Sequence, residues 1–537
     1  MAKSRSFSIY LLKDGYTYEN SLKENHELEL LEEHNTNLPD GSIMYIADNF
    51  STLPWWKNYW GIEKELHQVQ KGALIFLPID NKWIALTFGM THYKLKDVCY
   101  EYDFGLRTTL NALDPTKIKS TDILQPENAK RQRIQSPTAS SLNFFDIKQD
   151  ESIIKKLTGS VKLEYNDWFK NVTGASNLKV SSNIQPNEIV NLCRTLIETY
   201  NKEDYIDNFP DIRNIEPIRD PIIISNLDEK LIEAFNEAPV DLVLTVPDII
   251  DYSDSFTIKY SGAGKTDTEY SDVFIGGYRQ YLEEKNLQIV TDKNIFYKHK
   301  LNIINESGIK TNQYDIYKSF LYDCEFEGKT YHLCDGQWYI INSDFIEKLA
   351  NTLNPHFITE HRFLHACNHK KENEYNISVS DANQDVICLD TKNISPTGQT
   401  AVEPCDLIFI LDNIIHLVHV KISTRSSNLS HLFNQGINSV ELLRMESESK
   451  EKLKELIHNN ENFIPLIDSE KFIVTYGIIT KKAASNLENP SKNLPIFSRI
   501  SLLRVINTLK MMNIKFSIYF INDNVDRKKS TNDEELQ

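Results

Sequence analysis

The distribution of apolar and polar residues along the chain predicts a mixture of β-strands and α-helices. Near the N-terminus, the apolar runs ALIFLPI (73–79) and WIALTF (83–88) flank a short polar DNK turn, a pattern typical of a β-hairpin. Apolar residues recur with helical spacing in NEIVNLCRTLIETY (187–200) and in SNLDEKLIEAFNEA (225–238). YHLCDGQWYII (331–341) contains a DG turn between two apolar runs and predicts a second hairpin.

These elements group into three segments and a tail. We expect one or more N-terminal α+β domains over 1–237, with a polar, basic loop near 125–145. A middle α+β segment follows over 238–350, starting near the apolar run VDLVLTVPDII. The segment 351–525 alternates strands and helices, which predicts an α/β layer. The last residues, 526–537, carry almost no apolar side chain and are expected to form a disordered tail.

Composition and charge exclude several classes of protein. The chain has 537 residues with 40% hydrophobic residues, which is typical of a globular protein rather than a disordered one. Its net charge of −17 excludes a uniformly basic nucleic-acid coat, so a nucleic-acid site would need a local basic surface. No apolar run has the length of a membrane span, and the seven cysteines are scattered without a CxxC pair. We therefore expect a cytoplasmic protein with reduced thiols that does not bind membranes.

The segment 125–145 contains a cluster of basic residues. Lys130, Arg131 and Arg133 lie together in QPENAKRQRIQSPTASSLNFF. The cluster has two interpretations: a solvated loop, or an arm that contacts nucleic-acid phosphates.

The most informative stretch begins with two runs, CDLIFIL and IIHLVHVKI, separated by a DN turn. They predict two strands joined by a tight hairpin. Asp406 lies at the start of the first strand, while His419 and Lys421 are two residues apart on the second and share one face of the sheet. Because residues opposite each other in a hairpin are neighbours, we expect these three side chains to converge.

A carboxylate, an imidazole and an ammonium group at one point suggest a specific chemistry. A carboxylate can hold a hard divalent cation such as Mg²⁺ together with phosphate oxygens. The cation lowers the pKa of a bound water, and a neighbouring lysine offsets charge in the transition state. The grouping therefore predicts hydrolysis of phosphodiester bonds.

A helix is predicted after the second strand, starting near Ser426 or Ser427 in SSNLSHLFNQGINSVELLR. One of its faces carries His431, Gln435 and Asn438 at helical spacing. These residues either flank the cleft or form an ordinary solvated face. We take Arg425, Ser427 and His431 as candidates for nucleic-acid contacts.

The order of an acidic residue, a strand aspartate, a hairpin, x-V-K and a helix with glutamine resembles the PD-(D/E)XK, or restriction-endonuclease-like, nucleases. Their motif has Glu-x-Lys on the second strand, and His419 occupies the usual Glu position here. The motifs EYN, LDTK, EPCDL, HVK and SSxLSHLFxQGxxS also look like a sporadically distributed bacterial family of long proteins associated with phage-defence loci. Weaker likeness, in LPWWKNYW, RQRIQSPTASSLNFF and DGQWYI, extends over most of the chain.

The resemblance implies a C-terminal mixed sheet flanked by helices, preceded by α+β domains, and therefore a multi-domain chain of the α/β and α+β classes. It also implies cleavage of DNA or RNA with Mg²⁺ as the cofactor. It suggests Glu374 as an acid supplied by an earlier element, with Glu403 and Asp390 as alternatives. An imidazole at position 419 carries no negative charge and favours a softer ion such as Mn²⁺.

We therefore expect a metal-dependent endonuclease of bacterial antiphage defence, acting on DNA rather than RNA. In this hypothesis Asp406, His419 and Glu374 bind the metal, Lys421 stabilises developing charge, and Gln435 orients the substrate. The alternative is a non-catalytic nucleic-acid-binding or scaffold protein on a nuclease-like fold. A second copy of the chain, or another defence protein, is a possible partner in either case.

Overall fold

The computed structural model divides the chain into two compact units. The first comprises Met1–Leu124 and Arg131–Arg213, and the second comprises Gln125–Lys130 and Asn214–Gln537. The division falls before the boundary at 237/238 that the sequence suggested. The residues that the structure describes are 4–32, 37–52, 57, 60–64, 68–125, 130–141, 145, 153–209, 215–237, 242–248, 256–266, 268–305, 310–422, 426–458 and 460–525. The expected tail, 526–537, lies outside them.

The first unit is built on a ten-stranded sheet with the order β2-β3-β4-β5-β1-β10-β9-β8-β6-β7. Three α-helices with described bounds accompany it. Its elements are β1 Arg5–Leu11, β2 Glu29–Leu30, β3 Ile43–Thr52, β4 Gln68–Ile79, β5 Lys82–Phe88, α1 Phe104–Ala112, β6 Leu113–Gln125, β7 Lys130–Ser140, β8 Ile153–Val161, β9 Asn171–Gly174, β10 Leu178–Ser182, α2 Ile189–Asn201 and α3 Tyr205–Asn208.

The predicted hairpin of the first unit is confirmed, because β4 and β5 pair antiparallel from Ile79 opposite Lys82 to Ala73 opposite Phe88. The expectation of a loop over 125–145 is wrong for residues 130–140, which form strand β7 at the edge of the sheet. An edge strand leaves one side to solvent and needs no alternation of apolar residues. The polar sequence of β7 therefore contains no pattern that predicts a strand.

Helix α1 lies directly against the backbone of the sheet. A Cβ atom built on Gly105 would lie 1.9 Å from the carbonyl oxygen of Asn177, and one built on Gly174 would lie 1.9 Å from the carbonyl oxygen of Gly105. Only glycine permits so close an approach of helix and strand. The core of the unit, including Phe104, Leu157 and Leu178, is fully buried around this contact.

The N-terminal part of the second unit contains two antiparallel sheets. One has five strands in the order β11-β18-β17-β16-β12, and the other has three in the order β13-β14-β15. The elements are β11 Ile215–Pro217, α4 Pro221–Glu237, β12 Leu242–Leu244, β13 Phe256–Ser261, α5 Ile275–Glu284, α6 Asn294–Lys298, β14 Lys300–Asn305, β15 Lys310–Asp315, α7 Ile316–Ser319, β16 Phe320–Phe326, β17 Lys329–Cys334 and β18 Gln337–Ile341.

The second predicted hairpin lies in the five-stranded sheet. Strands β17 and β18 pair antiparallel, and Asp335 and Gly336 connect them with positive φ angles of 51° and 73°. Two consecutive positive φ angles are typical of the tight turns that join right-handedly twisted strands.

A six-stranded mixed sheet occupies the C-terminal part of the second unit, with the order β19-β24-β23-β22-β21-β20. Strands β19, β24, β23 and β22 are parallel neighbours, while β21 and β20 run antiparallel to their neighbours. The elements are α8 Ser343–Leu353, β19 Phe357–Ile358, α9 Glu372–Ala382, β20 Ile387–Cys388, β21 Leu407–Leu411, β22 Ile414–Ile422, α10 Ser426–Met445, α11 Ser447–Leu456, α12 Ile464–Asp468, β23 Phe472–Thr480, α13 Ile496–Met511 and β24 Lys515–Asn522.

Helices cover both faces of this sheet. Apolar residues of α10 and α13, such as Leu432 and Leu509, pack with Leu417 on one face, while Tyr375 of α9 packs with Phe409 on the other. Helix α10 approaches β23 closely, since a Cβ atom on Gly436 would lie 2.4 Å from the hydroxyl of Tyr476.

The fold is therefore a multi-domain α+β arrangement that combines antiparallel sheets with a mixed sheet. None of the seven cysteines, all of them among the described residues, is paired in a disulfide. Within the described ranges, no helix combines the length and the apolar character needed to cross a membrane.

Candidate functional site

The site lies where β22 continues beyond its neighbour β21. Leu407, the first residue of β21, pairs with Val418, so the last four residues of β22 have no partner from β21. Asp406 Oδ2 instead accepts a hydrogen bond from Val420 N (2.6 Å), and Glu372 Oε2 accepts one from Ile422 N (2.6 Å). Two carboxylates thus take the place of a missing strand, and the backbone donors fix their orientation.

Asp406 belongs to a cluster of three carboxylates, and we call Asp390, Glu403 and Asp406 the acidic triad. One oxygen from each residue lies within 4.8 Å of an oxygen of the other two, and all three side chains are half-buried. The two alternatives that the sequence left open, Asp390 and Glu403, are therefore the residues that join Asp406. Among the described residues, this is the single group of His, Cys, Asp and Glu side chains close enough together to hold a metal ion.

Local hydrogen bonds bring the three acids together. Leu389 N donates to Asp406 O (2.8 Å), which places Asp390 beside the start of β21. The loop between Asp390 and Glu403 closes on itself, because Ile394 N donates to Val402 O (3.0 Å). Residues that precede and follow the loop therefore meet.

The acids of the triad interact unfavourably in their ionised forms. Burial raises the pKa of Asp406 to about 8, and the neighbouring charges of Asp390, Glu372 and Glu403 add to this increase against the effect of the Val420 N–H donor. Burial and the charge of Asp390 also raise the pKa of Glu403. A cation would relieve this repulsion, because opposite charge favours the ionised carboxylates.

Lys421 is held at the edge of the triad by an ion pair. Its Nζ donates to Glu372 Oε1 (2.9 Å), and both side chains are mostly buried, at 28% and 29% exposure. The ammonium group also acts on the triad, since its charge lowers the pKa of Glu403. Asp406 bonds to Val420, and Lys421 bonds to Glu372, which also accepts from Ile422. Both residues therefore lie at the same end of the hairpin, as expected.

Glu372 is a residue that the sequence reasoning missed. Glu374, chosen instead, is exposed, and its Oε2 accepts from Lys371 N (3.4 Å) in a capping box at the start of α9. Residues two positions apart on a helix are separated by about 200° around its axis, so Glu372 and Glu374 cannot face the same way. The signal was present in the sequence, because Glu372, Asn376 and Val379 have the i, i+4, i+7 spacing of one helix face.

His419 lies inside the core rather than in the triad. It is 2% exposed, and burial lowers its pKa to about 3. Its Nε2 lies 3.5 Å from Ser439 Oγ of α10, and its ring lies 6.2 Å from that of Tyr476. The structure does not bring His419 or Glu374 into the group of potential metal ligands.

The remaining predicted residues have different surroundings. On α10, Gln435 is half-buried, and the exposed His431 is near enough for its charge to lower the pKa of Glu403. Arg425 lies outside the described residues, and so does the side chain of Ser427.

The three basic residues of the first half of the chain lie on strand β7. Lys130 and Arg133 are exposed, while Arg131 is half-buried. Arg133 forms a two-point ion pair with Asp122, with Nε and Nη2 donating over 2.8 and 2.7 Å. Its guanidinium is therefore already engaged within the chain.

Comparison with known proteins adds one relationship. Neither the curated proteins nor the solved structures gave a match. The sequence profile of a family of unknown function (DUF6119) matches residues 7–522, which is nearly the whole chain. The chain belongs to this family.

Proposed function

We propose that the C-terminal part of the chain is a metal-dependent nuclease that hydrolyses phosphodiester bonds in DNA or RNA. The observation that carries the proposal is the acidic triad, whose three carboxylates lie within 4.8 Å of each other, with the Lys421 ammonium group near enough for its charge to lower the pKa of Glu403. Lysine next to a carboxylate cluster is a pairing that suits the hydrolysis of a charged phosphodiester.

The donor set favours a hard divalent cation. All three candidate ligands are carboxylates, and oxygen ligands suit Mg²⁺ and Mn²⁺. With His419 placed in the core, the cluster of potential ligands contains no imidazole among the described residues, so this preference is not shifted toward softer ions. When bound, the cation would activate a water and neutralise charge on the phosphoryl oxygens.

The chain's own residues have defined tasks in this proposal. Asp406 is oriented by Val420 N–H, which fixes one of its oxygens. Lys421 stabilises negative charge on the phosphate, and Glu372 holds the ammonium group in place before substrate arrives. His431 and Gln435 on α10 contact the substrate. The resemblance to PD-(D/E)XK nucleases supports DNA as the target, and the resemblance to a bacterial family associated with phage-defence loci supports defence as the biological role.

The proposal is tested with plasmid DNA, single-stranded DNA and RNA, each incubated with the full-length protein and Mg²⁺ or Mn²⁺. We expect cation-dependent cleavage that is lost in Asp406→Ala and Lys421→Ala. Matched controls are Asp381→Ala, an exposed carboxylate on α9, and Lys515→Ala, an exposed lysine on β24 of the same sheet. Both controls should cleave like the wild type.

A second function remains in contention because His419, at the position where the resembling nucleases have Glu, is buried and offers no charge. This second function is that of a non-catalytic nucleic-acid-binding or scaffold protein. Binding of nucleic acid without cleavage, equally in the wild type and in both site variants, would favour that function and contradict the nuclease.

A further inference from the structure

Asn376 is a fully buried polar residue on the side of α9 that faces the sheet. It lies one helical turn after Glu372 and has 0% exposure. Polar side chains in such positions are normally hydrogen-bonded throughout, because burial removes their contacts with water.

Only half of the Asn376 amide is paired. Its Nδ2 donates to Asp390 Oδ2 (3.2 Å), whereas its Oδ1 is buried and has no hydrogen-bond partner among the described residues. The opposite orientation of the amide is disfavoured, since it would set an oxygen against the carboxylate of Asp390. The unpaired atom is therefore the carbonyl oxygen.

An unpaired buried acceptor destabilises a protein, because burial removes its hydrogen bonds to water. Such a group usually has a partner in the functional state, often an ordered water or an ion. The residue bonded to the same amide, Asp390, is a member of the acidic triad. A water bound to a cation at the triad could therefore supply the donor that Asn376 Oδ1 lacks.

We infer that Asn376 is a positioning residue of the cation site. Its Nδ2 fixes one oxygen of Asp390 and so orients the carboxylate toward Glu403 and Asp406. Its Oδ1 accepts a hydrogen bond from a water bound to the cation. This inference rests on the proposed cation site and adds a residue that the triad alone does not identify.

The role predicts a specific loss. Partners that orient metal ligands typically raise metal affinity about 10- to 100-fold. Replacing Asn376 by alanine should therefore weaken cation binding about tenfold or more, although the variant retains all three carboxylates.

The experiment titrates Mn²⁺ into full-length protein by calorimetry and measures the thermal unfolding midpoint with and without the ion. The variant is Asn376→Ala. The matched control is Asn383→Ala, which removes a similar amide hydrogen bond at the C-terminal end of the same helix, from Asn383 Nδ2 to Val379 O (2.9 Å). Asn376→Ser serves as the second variant if the alanine variant does not fold.

We expect Asn376→Ala to lose most of the Mn²⁺-induced rise in the unfolding midpoint, while Asn383→Ala keeps it whatever its stability without the ion. A purely structural role would lower the midpoint of the ion-free protein and leave the Mn²⁺ affinity unchanged, and that result would overturn the inference but not the nuclease. Absence of Mn²⁺ binding by the wild type would overturn the cation site itself, and this inference with it.

Discussion

Glu372 and Asp406 accept hydrogen bonds from backbone N–H groups two residues apart on the same strand, at Ile422 and Val420. The two acids come from different elements, a helix start and a strand start, and meet at the uncovered end of β22. The second carboxylate oxygen of Glu372 accepts a hydrogen bond from Lys421, whereas the Asp406 carboxylate belongs to the triad. Because the two acids make different contacts, we expect their substitutions to have different effects.

Asp406→Asn should remove cation binding without unfolding the protein. The amide keeps an acceptor for Val420 N–H and removes one charge from a cluster whose members repel each other. We expect Mn²⁺ affinity to fall at least about tenfold, and the unfolding midpoint of the ion-free protein to stay equal or rise. Calorimetry and thermal unfolding check both, with Asp381→Asn as the control. Unchanged Mn²⁺ affinity would show that the triad is not the cation site.

Glu372→Gln should weaken the hold on Lys421. The ion pair is mostly buried, and its loss should lower the free energy of unfolding by about 1 kcal/mol. The coupling between the two residues is measured in a double-mutant cycle with Lys421→Met. Glu374→Gln, two positions along the helix and exposed, should change stability by less than about 0.5 kcal/mol. Equal effects at both positions would contradict the assignment of Glu372.

His419→Leu should leave cation binding unchanged. The imidazole is buried beside Ser439 and Tyr476 and lies outside the triad, so we expect Mn²⁺ affinity to stay within a factor of about two. The measurement is the same Mn²⁺ titration. A tenfold loss in a folded variant would restore His419 as a metal ligand.

Acid should destabilise the protein through a pair of histidines on the other face of the sheet. His416 stacks on Phe409 (4.8 Å between ring centroids), and His361 meets the same ring edge-on (5.7 Å). Burial lowers the pKa of His361 to about 4 and also lowers that of His416, whose shift is partly opposed by Asp412. The unfolded chain therefore takes up protons first as the pH falls below about 6.5, and stability declines toward pH 4.

His416→Phe should flatten that decline. It removes one titrating group and also a buried Nδ1 atom that has no hydrogen-bond partner within the described ranges. We expect the proton uptake on unfolding between pH 6.5 and 4 to fall by up to about one proton, as measured from unfolding free energies across this range. The same slope in the variant and the wild type would exclude His416 as a source of acid sensitivity.

The sequence predicted the hairpin of the site well, because its signals are local. Apolar runs define β21 and β22, and the DN turn adopts the two positive φ angles, 51° at Asp412 and 59° at Asn413, that such hairpins require. Register then follows from turn length, so Asp406 and Lys421 were correctly placed at one end of the hairpin.

The rest of the site depends on contacts that local patterns do not contain. Asp390 and Glu403 meet through a closed loop, and no periodicity marks which acids a loop brings together. His419 has the same strand parity as Lys421, yet the packing of α10 buries one and not the other. The motif resemblance points to Glu374 rather than Glu372 because it does not show which face of α9 lies against the sheet.

The uncovered end of β22 has a further consequence for how the protein behaves among other chains. A strand edge with free N–H groups is a template for pairing with a foreign strand, and proteins commonly block such edges with charge. Here Asp406 and Glu372 occupy the N–H groups of Val420 and Ile422. The acids of the proposed site thus also block a strand edge, and replacing both by alanine would expose the two N–H groups and favour self-association.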